Sequence, residues 1–254
     1  MKILFLGTSA GWPLPRLGCS CQICKSQDSK DKRLRPGILV NDKILLDAPF
    51  DIYHQLQKEN VNTKEISHIL LTHAHDDHIW GLYDLSHIYG RENPIIIIST
   101  KSVLSGIKSR LKVTLSSFRL YEANPFEKVN LFPDTFCWFI PVKHTIDTFA
   151  IKIKAPKPIV YAPEFRKIEK SAQKFLGDID LAIIDGSSKE RFGQAKGHET
   201  ITEGLKLGKR LNAKRILFTN IGHKTDTHKN LERFVTSQGN HKFSVAFDGM
   251  IIKL

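Results

Sequence analysis

Short apolar runs, separated by polar and glycine-containing stretches, recur along the 254-residue chain and predict a series of buried β-strands. The opening run at residues 1–6 predicts a first strand, and residues 37–47 predict a hairpin that turns at Asn41 and Asp42. Further strands are predicted at residues 69–72, 95–99, 136–142, 149–153, 159–161, 181–185, 215–219, 243–246 and 251–253. Helical spacing occurs between them, near residues 51–58, 79–89, 101–111, 166–175, 199–210 and 228–236. Strands that alternate with helices indicate a mixed α/β architecture, here with two similar halves.

The most informative polar stretch is Thr-His-Ala-His-Asp-Asp-His at residues 72–78, directly after the apolar run at residues 69–71. It holds five potential metal ligands: His73, His75, Asp76, Asp77 and His78. Imidazole and carboxylate are the usual protein ligands of zinc, manganese and iron. Burial of so many polar groups without a metal would leave several of them unpaired. The stretch therefore predicts a metal site on a strand-end loop that runs into a helix starting near Ile79.

A second candidate site lies near the N-terminus, where Cys19, Cys21 and Cys24 fall within six residues. A disulfide between such close neighbours would be strained. Thiolates at this spacing are typical of a structural zinc site, which needs a fourth ligand. The alternative is a redox-active or incidental cysteine cluster. Cys137 stands alone in an apolar run and is expected to be a small buried hydrophobe.

The pattern His-x-His-x-Asp-His in the polar stretch resembles the signature of the metallo-β-lactamase superfamily, and later residues follow that family's motifs in order. Asp47 ends a strand where the family has a carboxylate that orients a ligand histidine. His144, Glu164 and Asn220 stand where the family has a ligand histidine, a bridging aspartate and a last histidine. The resemblance covers residues 1–254. It implies a single domain with the four-layered αββα sandwich and metals at one edge between the sheets.

The same resemblance implies two catalytic metal sites. The first is formed by His73, His75 and His144, and the second by Asp77, His78 and Glu164, with Asn220 in the place of the usual last histidine. Two metals can share a hydroxide, lower its pKa and clamp the oxygens of a phosphoryl group. Asp77 and His198 are the candidate catalytic residues, because His198 is placed to protonate a leaving alkoxide. The alternative for His198 is a solvent-facing residue at a helix start, and Asp185 either orients it or a ligand, or caps the following turn.

Two subgroups of the superfamily also carry the cysteine element. They are the phosphoribosyl cyclic phosphodiesterase of phosphonate breakdown and protein B of pyrroloquinoline quinone (PQQ) biosynthesis. In the phosphodiesterase the fourth zinc ligand is a histidine three residues after the last catalytic histidine, and His223 has that position here. One structural zinc, bound by Cys19, Cys21, Cys24 and His223, is therefore implied. Residues 160–163 and 184–186 look more like PQQ protein B, so the chain stands between the two subgroups.

Two residues depart from the family pattern. Glu164 in place of aspartate lengthens the bridging side chain by one methylene, which moves its carboxylate by about an ångström. Asn220 offers an amide oxygen, a weaker zinc ligand than imidazole. The second site is therefore expected to bind metal more weakly, to be empty or to take a harder ion, with His228 as a conceivable substitute ligand. The expected catalytic metal is zinc, manganese or iron, with one or two ions.

Three classes of function are compatible with these motifs. The leading one is a metal-dependent hydrolase, a phosphodiesterase that cleaves a small or cyclic phosphodiester through a metal-bound hydroxide. An RNA-processing nuclease of the same superfamily is a variant of that reading. The second is an iron-dependent oxygenase similar to PQQ protein B, because a single metal with open positions suits oxygen chemistry. The third is a catalytically silent binding module, favoured only by the changes at Glu164 and Asn220.

Charge and composition narrow the classes of partner and the expected location of the protein. The formal net charge is +12, from 38 Lys and Arg against 26 Asp and Glu, and basic residues outnumber acidic ones between Lys189 and Arg233. The excess favours an anionic, phosphorylated small molecule, while nucleic acid stays open without a recognisable binding motif. The apolar runs are too short to cross a bilayer and the N-terminus does not look like a signal peptide, so a cytoplasmic enzyme is expected. A homodimer is left open.

Overall fold

The computed structural model describes residues 1–89, 94–111, 114–190, 197–239 and 242–254. The strands in these ranges are β1 (Lys2–Gly7), β2 (Gly37–Val40), β3 (Ile44–Leu46), β4 (His68–Leu70), β5 (Ile95–Thr100), β6 (Phe118–Ala123), β7 (Val129–Phe132), β8 (Thr135–Val142), β9 (Thr148–Lys154), β10 (Pro158–Ala162), β11 (Ile179–Asp185), β12 (Ala213–Thr219), β13 (Phe243–Val245) and β14 (Ile251–Lys253). The α-helices are α1 (Gln22–Lys25), α2 (Ile52–Lys58), α3 (Asp76–Ile79), α4 (Leu82–Ile88), α5 (Lys101–Arg110), α6 (Lys170–Leu176), α7 (Ile201–Arg210) and α8 (His228–Ser237).

The strands form two seven-stranded sheets of matching design. The first has the order β14-β1-β2-β3-β4-β5-β6 and the second β13-β12-β11-β10-β9-β8-β7. In each sheet, three antiparallel pairings on one side are followed by three parallel pairings on the other. The two similar halves predicted from the sequence are therefore confirmed.

Alternating residues of the strands enter two different cores. In β10, Ile159 and Tyr161 pack between the sheets, whereas Val160 and Ala162 belong to a second core with residues of α6, α7 and α8. Successive side chains of a strand point to opposite faces, so a strand with both faces buried reads as a continuous apolar run. The two sheets with helices outside them confirm the four-layered αββα sandwich.

Some predicted boundaries need correction. The helix expected to start near Ile79 begins at Asp76, so Asp77 and His78 lie within the short helix α3 rather than before it. The helix predicted near residues 166–175 begins only at Lys170, because Arg166 and Lys167 are hydrogen-bonded to the backbone of Lys143 in an extended bridge. The strands β6 and β7 were not predicted. In β6 most side chains are exposed or half-buried, so it lacks the apolar run that marks a buried strand.

The sheets place the polar residues of interest at one edge. Asp47 follows β3, residues 72–78 follow β4, and His144 follows β8. Glu164 follows β10 in the same way, and Asn220 follows β12 directly. Polar residues that follow the carboxyl ends of neighbouring strands converge on one crevice in α/β sheets. Among the described residues, no helix is both long and apolar enough to cross a membrane. Residues 191–196 of the basic segment lie outside the described ranges.

The packing of α7 on the second sheet gives a stability prediction. A Cβ atom on Gly208 would lie 2.3 Å from Ile216 Cδ1 and 2.7 Å from Phe243 Cε1, and both neighbours are fully buried and cannot swing away. Glycine to alanine in an exposed helix stabilises by about 1 kcal/mol. Here we expect Gly208→Ala to lower the free energy of unfolding by about 1–3 kcal/mol, because overpacking outweighs helix propensity.

Urea denaturation measures this change. The matched control is Lys209→Ala, an exposed neighbour in the same helix, for which a change within about 0.5 kcal/mol is expected. Higher stability of Gly208→Ala than of the parent would show that α7 can move away from the sheet at little cost.

Candidate metal centre

Four side chains predicted from separate parts of the sequence form the first cluster. His73, His75, His144 and Glu164 each place one ligand atom within 4.8 Å of the others. Glu164 Oε2 lies 3.1 Å from His73 Nε2 and 3.1 Å from His144 Nε2. His75 Nδ1 lies 3.0 Å from His73 Nε2 and 3.3 Å from His144 Nε2. Three imidazole nitrogens and one carboxylate oxygen therefore face a common point.

The four histidines are hydrogen-bonded through their outer ring nitrogens, the ones that face away from Glu164. These are hydrogen-bonded to oxygens as follows: His73 Nδ1 to Thr72 Oγ1 (2.9 Å), His75 Nε2 to Thr145 Oγ1 (3.2 Å), His78 Nδ1 to Asp47 Oδ2 (2.8 Å) and His144 Nδ1 to the Gly197 carbonyl (2.5 Å). A carboxylate or carbonyl can only accept, so His78 Nδ1 and His144 Nδ1 donate to their partners. Thr72 Oγ1 donates to Asp47, so its oxygen accepts from His73 Nδ1. This is the arrangement by which proteins orient metal-ligating histidines.

The inner lone pairs test whether a metal fits. His73 Nε2 and His144 Nε2 each lie 3.1 Å from Glu164 Oε2, so without a cation their lone pairs repel the carboxylate. Burial, together with the nearby His78, lowers the pKa of His73 to about 4, which keeps the imidazole neutral as metal ligation requires. The residues present therefore fit a metal cation.

Asp77, His78 and Glu164 form the second cluster, and Glu164 belongs to both. Glu164 Oε1 lies 3.3 Å from His78 Nε2, and Asp77 Oδ2 lies 3.7 Å from the same nitrogen. Burial alone would lower the pKa of His78, but Asp47, Glu164 and Asp77 outweigh burial and raise it well above its ordinary value. Three carboxylates thus favour a positive charge here, whether a proton or a metal ion supplies it.

Asp47 has the orienting role that the sequence predicted. Its Oδ2 accepts from His78 Nδ1, and its Oδ1 accepts from the Thr72 backbone amide at 2.9 Å. Thr72 Oγ1 also lies 3.0 Å from both Asp47 oxygens. One buried carboxylate therefore fixes both His78 and the start of the loop that carries His73 and His75.

Asn220 contacts the shared carboxylate. Its Nδ2 donates to Glu164 Oε1 at 3.1 Å, and its buried Oδ1 has no hydrogen-bond partner. The backbone of Asn220 has φ +61°, in the left-handed region that asparagine tolerates better than most residues. In this arrangement Asn220 positions Glu164 through its amide nitrogen, and its oxygen is the atom left over for a metal or a water molecule.

His198 lies beside the first cluster. Its ring packs edge-on against that of His144, with centroids 5.3 Å apart, and its Nδ1 donates to Asp185 Oδ2 at 2.9 Å. Burial would lower the pKa of His198, but Asp185, with smaller contributions from Glu164 and Asp77, raises it to about 9. Asp185 Oδ1 also accepts from the Ser187 amide at 2.8 Å, so Asp185 orients the histidine and caps the turn as well.

The predicted cysteine site is also assembled. Cys19, Cys21, Cys24 and His223 bring one ligand atom each within 4.8 Å of the others. Cys19 Sγ lies 3.4 Å from His223 Nδ1, and all four cysteines of the chain are free of disulfides. The pKa of Cys19 is lowered to about 6 by hydrogen bonds from the Cys21 backbone and His223, which favours the thiolate that binds zinc. Cys137 is fully buried, as expected.

One sequence hypothesis is wrong, and three residues were missed. His228 does not join a metal cluster of the described residues, because its Nδ1 lies 3.1 Å from Arg33 Nη2 in a separate buried network. The missed residues are Thr72, Thr145 and Gly197, whose oxygens are hydrogen-bonded to the outer histidine nitrogens. Thr72 opens the polar stretch and could have been found there, whereas Gly197 is 53 residues from its partner.

Comparisons with known proteins match most of the chain. A family model described as a beta-lactamase superfamily domain matches residues 42–221. PQQ synthesis protein B from Methylorubrum extorquens is 31% identical over 75% of this chain and 74% of its own length. Ribonuclease Z from Lactobacillus gasseri is 27% identical, over 82% of this chain and 62% of its own length. An octanoyltransferase from Porphyromonas gingivalis is 34% identical, but the match spans 44% of this chain and only 23% of that protein.

Solved structures share the whole fold. A diphosphatase of the PhnP family superposes with a TM-score of 0.87 at 23% identity, over 100% of this chain and 97% of the other. The zinc-bound PqqB of Methylobacterium extorquens superposes with a TM-score of 0.84 at 20% identity, over 100% of both chains. With the family model covering well over half of its length, the chain belongs to the metallo-β-lactamase superfamily.

Proposed function

We propose that this chain is a metal-dependent phosphodiesterase that acts on a small or cyclic phosphodiester. The observation that carries the proposal is the position of Glu164, whose two carboxylate oxygens face two different ligand clusters. A carboxylate shared in this way is suited to hold two metal ions a few ångström apart. Two-metal sites of that kind stabilise both the attacking and the leaving oxygen in a phosphoryl displacement.

The ligand sets assign the metals. His73, His75 and His144 would hold the first ion, while Asp77, His78 and Glu164 would hold the second, with Asn220 at its edge. Bound metal supplies Lewis acidity that activates water and neutralises phosphate charge. Nitrogen ligands favour zinc, and the oxygen-rich second site suits a harder ion such as manganese as well. The first site has three imidazoles and is therefore the tighter one, while the second has one.

His198 is the proposed general acid. Asp185 occupies its Nδ1, which leaves Nε2 as the nitrogen that can donate to a leaving group. The contact with His144 places the ring beside a proposed metal ligand, where a bound ester would lie. Protonation of the departing oxygen contributes most when that oxygen is a poor leaving group. Asp185 is a positioning residue, because it acts through His198.

The substrate class follows from charge and from relatives. The net charge of +12 favours an anion. Among the similar proteins, the diphosphatase and ribonuclease Z bear names that refer to phosphate chemistry. An open cleft of about 490 Å³ beside His144 and Thr145 has room for a small molecule. These features favour a phosphate ester over an oxygenase substrate. Separately, the free thiols would suit a reducing compartment, and we propose the cytoplasm.

An oxygenase of the PQQ protein B type is the second candidate. Asn220 favours it, because replacement of a nitrogen ligand by an amide weakens one metal site and leaves open positions on the other. The likeness to PQQ protein B over 75% of this chain points the same way. A ribonuclease Z-like nuclease would share the proposed chemistry and differ only in the size of its substrate.

The cysteine cluster is proposed as a structural zinc site. It joins α1 and the loop before it to the loop after β12, which carries His223. A structural zinc contributes folding free energy and takes no part in the reaction.

The first test of these assignments is a metal count on paired variants. His75→Ala should lose the first catalytic metal and drop cleavage of bis(p-nitrophenyl) phosphate to background, while it keeps the structural zinc. Cys21→Ser should lose one zinc and melt at a lower temperature, while the His75-dependent metal stays bound. Elemental analysis of the purified proteins together with the activity assay measures both. Full activity in His75→Ala, with an active parent, would contradict metal catalysis at this site.

The second test concerns the general acid. His198→Ala should slow cleavage of diphenyl phosphate by about 100-fold, but of bis(p-nitrophenyl) phosphate by less than about tenfold, because p-nitrophenolate leaves without a proton. Asp185→Asn should show the same selectivity in weaker form. The matched control is His54→Ala, an exposed histidine on α2, for which both rates should match the parent. An equal loss on both esters in His198→Ala would assign His198 to binding instead.

The third test addresses the two departures from the family pattern. Asn220→His restores a nitrogen ligand, and the left-handed backbone there makes histidine cost about 1 kcal/mol or more. Glu164→Asp shortens the bridge, so the double variant is the cleaner experiment. A hydrolase should gain second-metal occupancy and cleave phosphodiesters faster, whereas an oxygenase should lose native activity when its open position is filled. An unchanged metal count and rate would place Asn220 outside the metal shell.

A further inference from the structure

Two aromatic rings are stacked on the surface beside the metal centre. Phe50 and Trp80 lie with ring centroids 5.8 Å apart and only 6° between their planes. They stay 47% and 37% exposed. Parallel aromatic rings that remain open to solvent present a flat face on which another planar ring can stack.

The Phe50 ring is held from the protein side. The Arg35 guanidinium lies 4.9 Å from its centroid, and Arg35 is itself fixed by an ion pair with Asp51 at 3.0 Å. Arg35 Nε also donates to the Gly11 carbonyl at 2.9 Å. An arginine held in this way attracts the ring face electrostatically and leaves it little freedom. The ring is therefore part of a built surface and not a loose side chain.

Short backbone contacts tie both rings to the metal centre. The Ala48 amide donates to the His78 carbonyl at 2.8 Å, and the Gly81 amide donates to the Ala48 carbonyl at 2.9 Å. A Cβ atom on Gly81 would lie 2.1 Å from the Pro49 carbonyl oxygen, so only glycine allows the two segments to approach this closely. Phe50 follows the orienting carboxylate Asp47 by three residues, and Trp80 follows the proposed ligand His78 by two.

A third ring borders the same side of the centre. Gly11 packs against Asp77, since a Cβ atom on it would lie 3.0 Å from Asp77 Oδ2. The next residue, Trp12, is 63% exposed, and the Arg16 guanidinium lies 5.4 Å from its ring centroid. Trp12, Phe50 and Trp80 together are called the aromatic rim, and Arg16 and Arg35 stand behind it.

We propose that the aromatic rim binds the planar base of a nucleotide ester, so that the substrate is a phosphodiester with a nucleoside on one side. The proposal rests on the proposed phosphodiesterase function and specifies its substrate. Exposed aromatic faces bind bases by stacking without reading their sequence, and the net charge of +12 attracts the phosphate. The loss of one stacking ring is expected to weaken binding by about tenfold.

The test compares two phosphate monoesters as probes, AMP and ribose 5-phosphate, which differ in the adenine base. Calorimetric titration of the purified chain should show AMP bound more tightly than ribose 5-phosphate. Trp80→Leu should reduce that preference about tenfold, and Trp80→Phe should restore most of it because a ring is present again. The matched control is Tyr121→Leu, an exposed aromatic residue on the strand β6, which should keep the preference of the parent. If Trp80→Leu does not fold, Phe50→Leu removes the other ring.

Binding of AMP needs no turnover, so this result stands even if phosphodiesterase activity fails. With an active enzyme, two diesters can be compared: thymidine 5′-(p-nitrophenyl phosphate), which carries a nucleoside, and methyl p-nitrophenyl phosphate, which does not. The ratio of their kcat/KM values should fall in Trp80→Leu. An equal affinity for both probes in the parent, or a preference that Trp80→Leu leaves intact, would overturn the proposal. Light scattering gives a further outcome that would overturn the proposal. If the parent is a dimer and Trp80→Leu is a monomer, the aromatic rim is a subunit interface.

Discussion

A single buried carboxylate, that of Glu164, faces imidazole nitrogens on both of its oxygens. Burial of a lone anion is costly, and the pKa of Glu164 is nevertheless lowered well below its ordinary value by His78 and by hydrogen bonds with the other histidines. These histidines come from loops after β4 and β8, so both sheets must end at the same crevice for the carboxylate to be paired. The sandwich supplies that geometry, because the polar residues of both halves follow the carboxyl ends of strands.

Local signals in the sequence singled out residues that the structure brings together. His73, His75 and His78 stand in one stretch after an apolar strand, and their type alone indicated a metal. Glu164 and Asn220 carried no such local signal, and the family resemblance alone assigned them. The Gly197 carbonyl could not be found at all, because a backbone oxygen has no side-chain type to mark it. The strand β6 was missed for a related reason, since a half-exposed edge strand lacks the apolar run of a buried one.

The two departures from the family pattern are spatially coupled. Glu164 is longer than aspartate by one methylene, whereas Asn220 is shorter than histidine. Asn220 Nδ2 donates a hydrogen bond to Glu164 Oε1 at 3.1 Å. A longer carboxylate can reach an amide that would otherwise be too far from the centre. The amide nitrogen then donates to Oε1, the oxygen that faces the second cluster, so it competes with a metal for that lone pair. A weaker second site would thus arise from the pair of residues together and not from either one separately.

A short path of backbone contacts links the cysteine cluster to the second cluster. His223 lies three residues after Asn220, and the intervening Ile221 exchanges backbone hydrogen bonds with the segment from Thr8 to Ala10, at 2.7 and 3.1 Å. That segment leads into Gly11, which packs against Asp77. A zinc ion on the cysteines and His223 would therefore fix the spacing between Asn220 and Asp77, the two flanks of the second cluster. The imidazoles of the first cluster are held instead by Thr72, Thr145 and Gly197. Loss of the cysteine site should accordingly disturb the second metal more than the first.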